Sequence, residues 1–316
     1  MNTTQLIYLV FGIVLVLALV FDLGLLSRKN HKVTLKAALI QTIFWVMLSI
    51  AFFGFIWYEK GKTDAISYIS AYLLEWSLSV DNIFVFILIF NFFKVEEIHY
   101  SRVLLLGILM AILFRIAFIT VGSELVARFS WIMYIFGGFL LYTGFKMLTA
   151  RDDEEFDPGE SWAFRMMKKY LRTTPEPHDG KLFQRVNGKL YATTLAMVVI
   201  MLGLIDIVFA VDSIPAVFSI IPDPSKRLLI YSSNIFAVLG LRSLFFLLHG
   251  AASRFNYLQH GVAIVLIFIG AKMLVEHWIE VPIWASLMMI VVCIGGSILY
   301  SIFKMEEEQG SEASNT

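Results

Sequence analysis

Nine stretches of this chain are apolar for about twenty residues each: 6–26, 37–58, 66–92, 103–122, 131–150, 192–220, 228–250, 257–276 and 282–303. Twenty residues of helix is the length that spans the hydrocarbon of a bilayer. A soluble domain does not tolerate such a pattern, because a chain that is 59% hydrophobic and 16% charged has too little polar surface to cover itself in water. Lipid is therefore the solvent for most of the chain, and each crossing must satisfy its own backbone hydrogen bonds. The expectation is an all-α polytopic membrane protein of about nine transmembrane helices. The first stretch has no basic region before it and no small-residue cleavage pattern after it, so it reads as a retained helix rather than a signal peptide.

Charge narrows the partners and sets an orientation. The formal net charge is zero and no long basic run or metal-finger spacing occurs, so the expected partner is the lipid bilayer and not nucleic acid. The single cysteine, Cys293, excludes a disulfide framework, a haem attachment and a thiolate metal site, and reads as a small apolar core residue. Lysine and arginine concentrate in alternate connections. Arg28, Lys29, Lys32 and Lys36 follow the first stretch, and seven basic residues from Arg165 to Lys189 separate the fifth from the sixth. The positive-inside rule then places a multi-pass protein in the cell inner membrane with its N-terminus outside and its C-terminus in the cytoplasm.

An internal repeat organises the middle of the chain. EWSLSVDNIFVF at 75–86 matches DIVFAVDSIPAVF at 206–218, each keeping an acid, five residues and an Asp before an apolar run. Arg115 then corresponds to Arg242, Arg128-Phe129 to Arg254-Phe255, and GFKML at 144–148 to GAKML at 270–274. Each unit holds three helices, an odd number, so the second copy must enter the membrane from the opposite side. Two inverted three-helix repeats are the architecture of secondary transporters, whose sites lie near the midplane between the copies. The division that follows is an N-terminal two-helix segment over 1–64, a first repeat over 65–150, a cytoplasmic loop over 151–190, a second repeat over 191–280, a ninth helix over 281–303 and a disordered tail over 304–316. Within the loop, WAFRMMKKYL reads as an amphipathic helix at the inner leaflet and Asn187-Gly188 as the turn of a small hairpin.

Four acids carry the chemistry. Glu75, Asp81, Asp206 and Asp212 fall inside apolar stretches, where each charge costs roughly 2.5–3.5 kcal/mol on insertion scales. Such groups mark ion or proton pathways; the alternative is static interhelical glue, in which Arg115 and Arg242 form supporting ion pairs with them. On an ideal helix Glu75 shares a face with Asn82, and Asp206 with Ser213, while Asp81 and Asp212 point about 100° away. Both acids of one helix reach a single ion only if the helix is distorted or the ion moves, and Pro215 supplies a distortion by freeing the carbonyl of Val211. Carboxylates, the Asn82 amide and the Ser79 and Ser213 hydroxyls are hard oxygen donors, suited to Mg²⁺, Ca²⁺ or Mn²⁺, whereas zinc and copper recruit Cys or His. His99, His249, His260 and His277 fall near helix ends instead. Asp22 is a weaker candidate at the end of the first stretch, and Lys146 and Lys272 lie near enough to helix ends to snorkel.

The strings EWSLSVDNIFVF and DIVFAVDSIPAVF and the two G-x-KML blocks make the chain resemble the TerC family, named for tellurium resistance and including the Alx-type proteins, over about 6–303. The resemblance implies an integral membrane protein tied to manganese export and metal homeostasis and grouped with LysE-type transporters. It implies that Glu75, Asp81, Asp206 and Asp212 handle the metal, with Asn82 and Ser213 beside them. Tellurite, an anion, fits four buried acids poorly. The expected function is efflux of a divalent cation, Mn²⁺ by resemblance, driven by proton exchange and needing no permanently bound cofactor. A membrane scaffold that delivers metal to other proteins, or supports metal-stress resistance without carrying flux, is the rival reading. An enzyme is not expected, since no nucleophile–base constellation, phosphate loop or HExxH occurs.

Overall fold

A computed structural model describes residues 3–21, 33–129, 131–149, 159–171, 180–186, 189–249, 258–275, 278 and 281–314. Asp22, Arg28, Lys29, Lys32, Arg254, Phe255 and the Asn187-Gly188 pair lie outside them, as do the side chains of Asp81 and Asp212. The fold is helical: α1 (Thr3–Phe21), α2 (Leu35–Lys60), α3 (Lys62–Phe92), α4 (Glu97–Arg128), α5 (Ile132–Thr149), the short α6 (Trp162–Tyr170), α7 (Thr194–Ile220), α8 (Arg227–His249), α9 (Leu258–Val275) and α10 (Ile283–Ser314). Among the described residues six helices are long and apolar enough to cross a membrane, within α2, α4, α5, α7, α8 and α10. Apolar runs in α1 and α9 are shorter, and α3 carries Glu75 and Asp81. Large apolar side chains such as Val16, Leu17, Leu113, Ile135 and Val292 are exposed on α1, α4, α5 and α10. So wide an apolar surface is stable only against lipid.

Helix ends follow local chemistry. The hydroxyls of Thr34, Ser161 and Thr193 each accept a backbone N–H three residues on, which caps α2, α6 and α7. Gly61, at φ 90°, turns α2 directly into α3. Between α6 and α7, β1 (Phe183–Val186) pairs antiparallel with β2 (Lys189–Ala192), in the register that sets Val186 opposite Lys189. The α6 helix buries Ala163 and Met167, and the Phe164 ring meets Phe92 edge-on at 5.5 Å, so this connection rests on the ends of α3 and α7.

At the centre stands α8, mostly apolar and, Tyr231 apart, buried from Leu228 to Phe245. It packs on α2, α3 and α4. Phe236 of α8 holds Phe11 of α1 at 5.5 Å and Phe52 of α2 at 5.3 Å. The other principal pairings are α5 on α9 and α4 on α7.

Two sequence readings are corrected here. Lys272 does not snorkel: it is 5% exposed, and its Nζ donates to the Ser219 carbonyl at the end of α7 and to Ser286 Oγ of α10, each at 3.3 Å. A cation there also answers the negative end of the α7 dipole. The tail expected to be disordered instead continues the α10 backbone to Ser314. Absence of apolar periodicity does not stop a helix whose next residues, Glu306 to Gln309, are all good helix formers.

Candidate cation site

The site grows from the face that α4 turns inward. Its buried residues Leu104, Ile108, Ala111, Arg115, Ile119 and Gly122 recur at helical spacing. Two glycines bring α7 onto this face: a Cβ on Gly107 would stand 3.0 Å from Leu202, and one on Gly122 would stand 2.8 Å from Phe218. Between these approaches Arg115 meets Asp206. Arg115 Nε donates to Asp206 Oδ2 at 2.9 Å and Nη2 donates to Oδ1 at 3.0 Å, a two-point fork. Nη1 donates to Glu75 Oε1 of α3 and, at 3.4 Å, to Asn234 Oδ1 of α8. Arg115 and Glu75 are fully buried and Asp206 is 1% exposed. Four helices thus converge on one guanidinium, far from water.

Not every oxygen is used. Glu75 Oε2 and Ser79 Oγ have no hydrogen-bond partner among the described residues, and neither does Trp76 Nε1 one residue from Glu75. The Ser213 hydroxyl of α7 is likewise without a hydrogen-bond partner among the described residues. Asn82 and Ser213 are both buried, at 4% and 3% exposure. Buried polar atoms of this kind are costly unless something outside the side-chain list satisfies them. Beside Asp206, a cavity of about 10 Å³ lies between Phe86 of α3, Leu104 and Gly107 of α4, Leu202 of α7 and Val238 and Leu241 of α8. That is room for about one water.

The structure therefore joins Glu75, Asp206 and Arg115, with Ser213 alongside. Arg242, the other candidate ion-pair arginine, is 3% exposed and donates through Nη2 to Ser101 Oγ at 2.6 Å. No group of three or more Asp, Glu, His or Cys suited to a metal is present among the described residues. The backbones of Asp81 and Asp212 each lie six residues, about 1.7 helical turns, beyond Glu75 and Asp206 on α3 and α7. His249 packs against Tyr100 and Phe245 at the bundle's edge, away from the acids. Asn234 was missed by sequence reasoning. Its signal was available: Ser232, Ser233 and Asn234 interrupt an otherwise apolar helix, and all three are fully buried.

A lipid-facing helical bundle with buried, mutually paired charges at its centre is an integral multi-pass membrane protein. Comparison with known proteins gives the family. Residues 60–309 match the integral membrane protein TerC family, and the chain belongs to it. It is 42% identical to an Escherichia coli K12 protein provisionally named membrane-bound redox modulator Alx, over 91% of this chain and 92% of that one. It is 40% identical to an uncharacterised membrane protein of Myxococcus xanthus, over 93% and 91% of the two chains. With an uncharacterised membrane protein of Rickettsia bellii it shares 38% identity over 94% and 97%. No solved structure matches the chain.

Proposed function

We propose that this protein is a transporter, not an enzyme, and that it exports a hard divalent cation, Mn²⁺, across the cell inner membrane in exchange for protons. One observation carries the reading. Glu75 and Asp206, corresponding positions of the sequence repeat, are brought together on Arg115 in the bundle interior, where Glu75 Oε2 and the buried Ser79 and Ser213 hydroxyls have no hydrogen-bond partner among the described residues. Static glue between helices would have no use for spare donors at such a desolvated point. These are oxygen ligands of the kind Mn²⁺ takes, and Asp81, Asn82 and Asp212 supply more from the same two helices. The chain has one cysteine and so no dithiol for exchange chemistry; the redox wording in the relatives' name does not displace the cation reading.

The transport cycle follows from nine crossings and two inverted repeats, α3–α5 and α7–α9, rocking about the acids. The packing pattern supports this. Exchanging α3 with α7, α4 with α8 and α5 with α9 turns the α3–α8 contact into the α4–α7 contact and leaves α5–α9 unchanged. At the α5–α9 crossing, a Cβ on Gly137 would stand 3.0 Å from the Gly270 carbonyl, and one on Gly144 would stand 2.9 Å from the Ala263 carbonyl. The register that lays GFKML on GAKML also lays Gly137 on Ala263, so the two approaches are one contact seen twice. The distribution of Lys and Arg orients the bundle with its N-terminus outside and C-terminus in the cytoplasm.

The test is Mn²⁺ flux into proteoliposomes holding a pH-sensitive dye, wild type beside Asp212→Asn. Flux with opposite proton movement, lost in a folded mutant, is the expected result; no flux from correctly folded wild type overturns the reading. One observation favours the delivery scaffold: α6 rests on the bundle yet leaves Trp162, Met166 and Tyr170 exposed. A scaffold loses its function on deletion of 151–190 and carries no flux with or without it.

A further inference from the structure

In this structure the Arg115 guanidinium occupies the place between Glu75 and Asp206 that a carried cation needs. It engages both oxygens of Asp206 and one oxygen of Glu75, and it is buried beyond the reach of water. A guanidinium and a divalent ion held between the same two acids compete for the same lone pairs and repel each other in a region of low dielectric. Without either one, two carboxylates would stand unpaired in the bundle core, an arrangement that is strongly unfavourable.

Resting on the cation-transport reading, we propose that Arg115 is the internal counter-ion of the empty site. It neutralises Glu75 and Asp206 when no cation is bound, and it withdraws from at least one of them when a divalent cation enters. Arginine suits this role better than lysine. It stays protonated whatever its surroundings, so the empty site does not become a proton leak, and its planar fork matches the two oxygens of Asp206. Asn234 Oδ1, already 3.4 Å from Nη1, offers a neutral acceptor as the fork leaves the acids. The exchange also sets selectivity. Breaking three charge-assisted hydrogen bonds is repaid by a small divalent ion and not by Na⁺ or K⁺, whose single charge only replaces that of the arginine.

Competition of this kind lowers the apparent affinity of the wild-type site by the fraction of time the acids are free. The experiment measures Mn²⁺ binding to the full chain purified in detergent, read by loss of the free-ion electron paramagnetic resonance signal, together with thermal unfolding in EDTA and in Mn²⁺. Wild type, Arg115→Lys and Arg115→Gln are compared. Arg115→Lys keeps the charge but loses the fork, and it is expected to bind Mn²⁺ about tenfold more tightly than wild type. Arg115→Gln is expected to be less stable than wild type in EDTA and to gain more from Mn²⁺ than wild type does, because the ion takes over the missing charge. If wild type binds Mn²⁺ while Arg115→Lys binds it equally or more weakly, Arg115 is a fixed strut and the inference is overturned. Equal destabilisation of Arg115→Gln with and without Mn²⁺ overturns it as well. Absence of Mn²⁺ binding in all three forms sinks the cation reading itself and this inference with it. Should Arg115→Gln fail to accumulate, the Arg115→Lys binding curve decides alone.

Discussion

Arg115 and Arg227 each hold a carboxylate across a contact between helices, and the two contacts sit in opposite surroundings. Arg115 is 1% exposed at its side chain, with Glu75 at 0% and Asp206 at 2%. Arg227 and Glu124 pair at 3.3 Å with side chains 32% and 49% exposed, and Arg128 joins the same carboxylate at 2.8 Å. Near this rim Lys226 reaches Asp64 at 2.7 Å. At the rim, water can solvate each partner almost as well as the pair does. In the core it cannot, so losing one partner leaves a charge with no alternative. The same functional groups are therefore fasteners of little weight at the helix ends and an obligatory set in the middle.

The contrast breaks most visibly at the arginines. Arg115→Gln is expected to cost about 3–5 kcal/mol of stability in the absence of divalent cation. Arg227→Gln should leave the unfolding midpoint in place, since Glu124 keeps Arg128. Equal effects in thermal unfolding of the purified proteins would remove the distinction between core and rim. Lysine gives a smaller version of the same comparison. Buried Lys272 caps α7 through the Ser219 carbonyl, whereas Lys146, its counterpart in the repeat, is exposed. Lys272→Met is expected to cost about 1–3 kcal/mol by orphaning buried acceptors, and Lys146→Met about 0.5 kcal/mol or less. Denaturation of both variants side by side sharpens where the interior begins. The smallest effect belongs to Asp64→Asn, at about 1 kcal/mol or less because the pair is partly solvated. Its contribution should fade as salt is raised, which a melting series in increasing NaCl checks.

Much of this was legible in the chain itself. Each apolar stretch overlaps a helix among the described residues, and β1 and β2 flank the Asn187-Gly188 pair, which lies outside them. Glu75, Arg115 and Asp206 stood out because charged residues in apolar helices are expensive wherever those helices pack. Which arginine takes which acid was not legible. Arg115 gathers Glu75 of α3 and Asp206 of α7, while Arg242 donates to Ser101. Lys272 misled for a related reason: its distance from the helix end is the same as that of Lys146, and only the neighbouring α7 and α10 make its surroundings an interior.

By itself the sequence determined the helical class, the helix positions and the presence of buried acids, because those depend on residues within a few turns of one another and on lipid as solvent. The tertiary structure alone decided the charged centre. Arg115 is separated from Glu75 by 40 residues, from Asp206 by 91 and from Asn234 by 119. No local periodicity encodes such a meeting; the close α4–α7 approach at Gly107 and Gly122 brings Arg115 and Asp206 together.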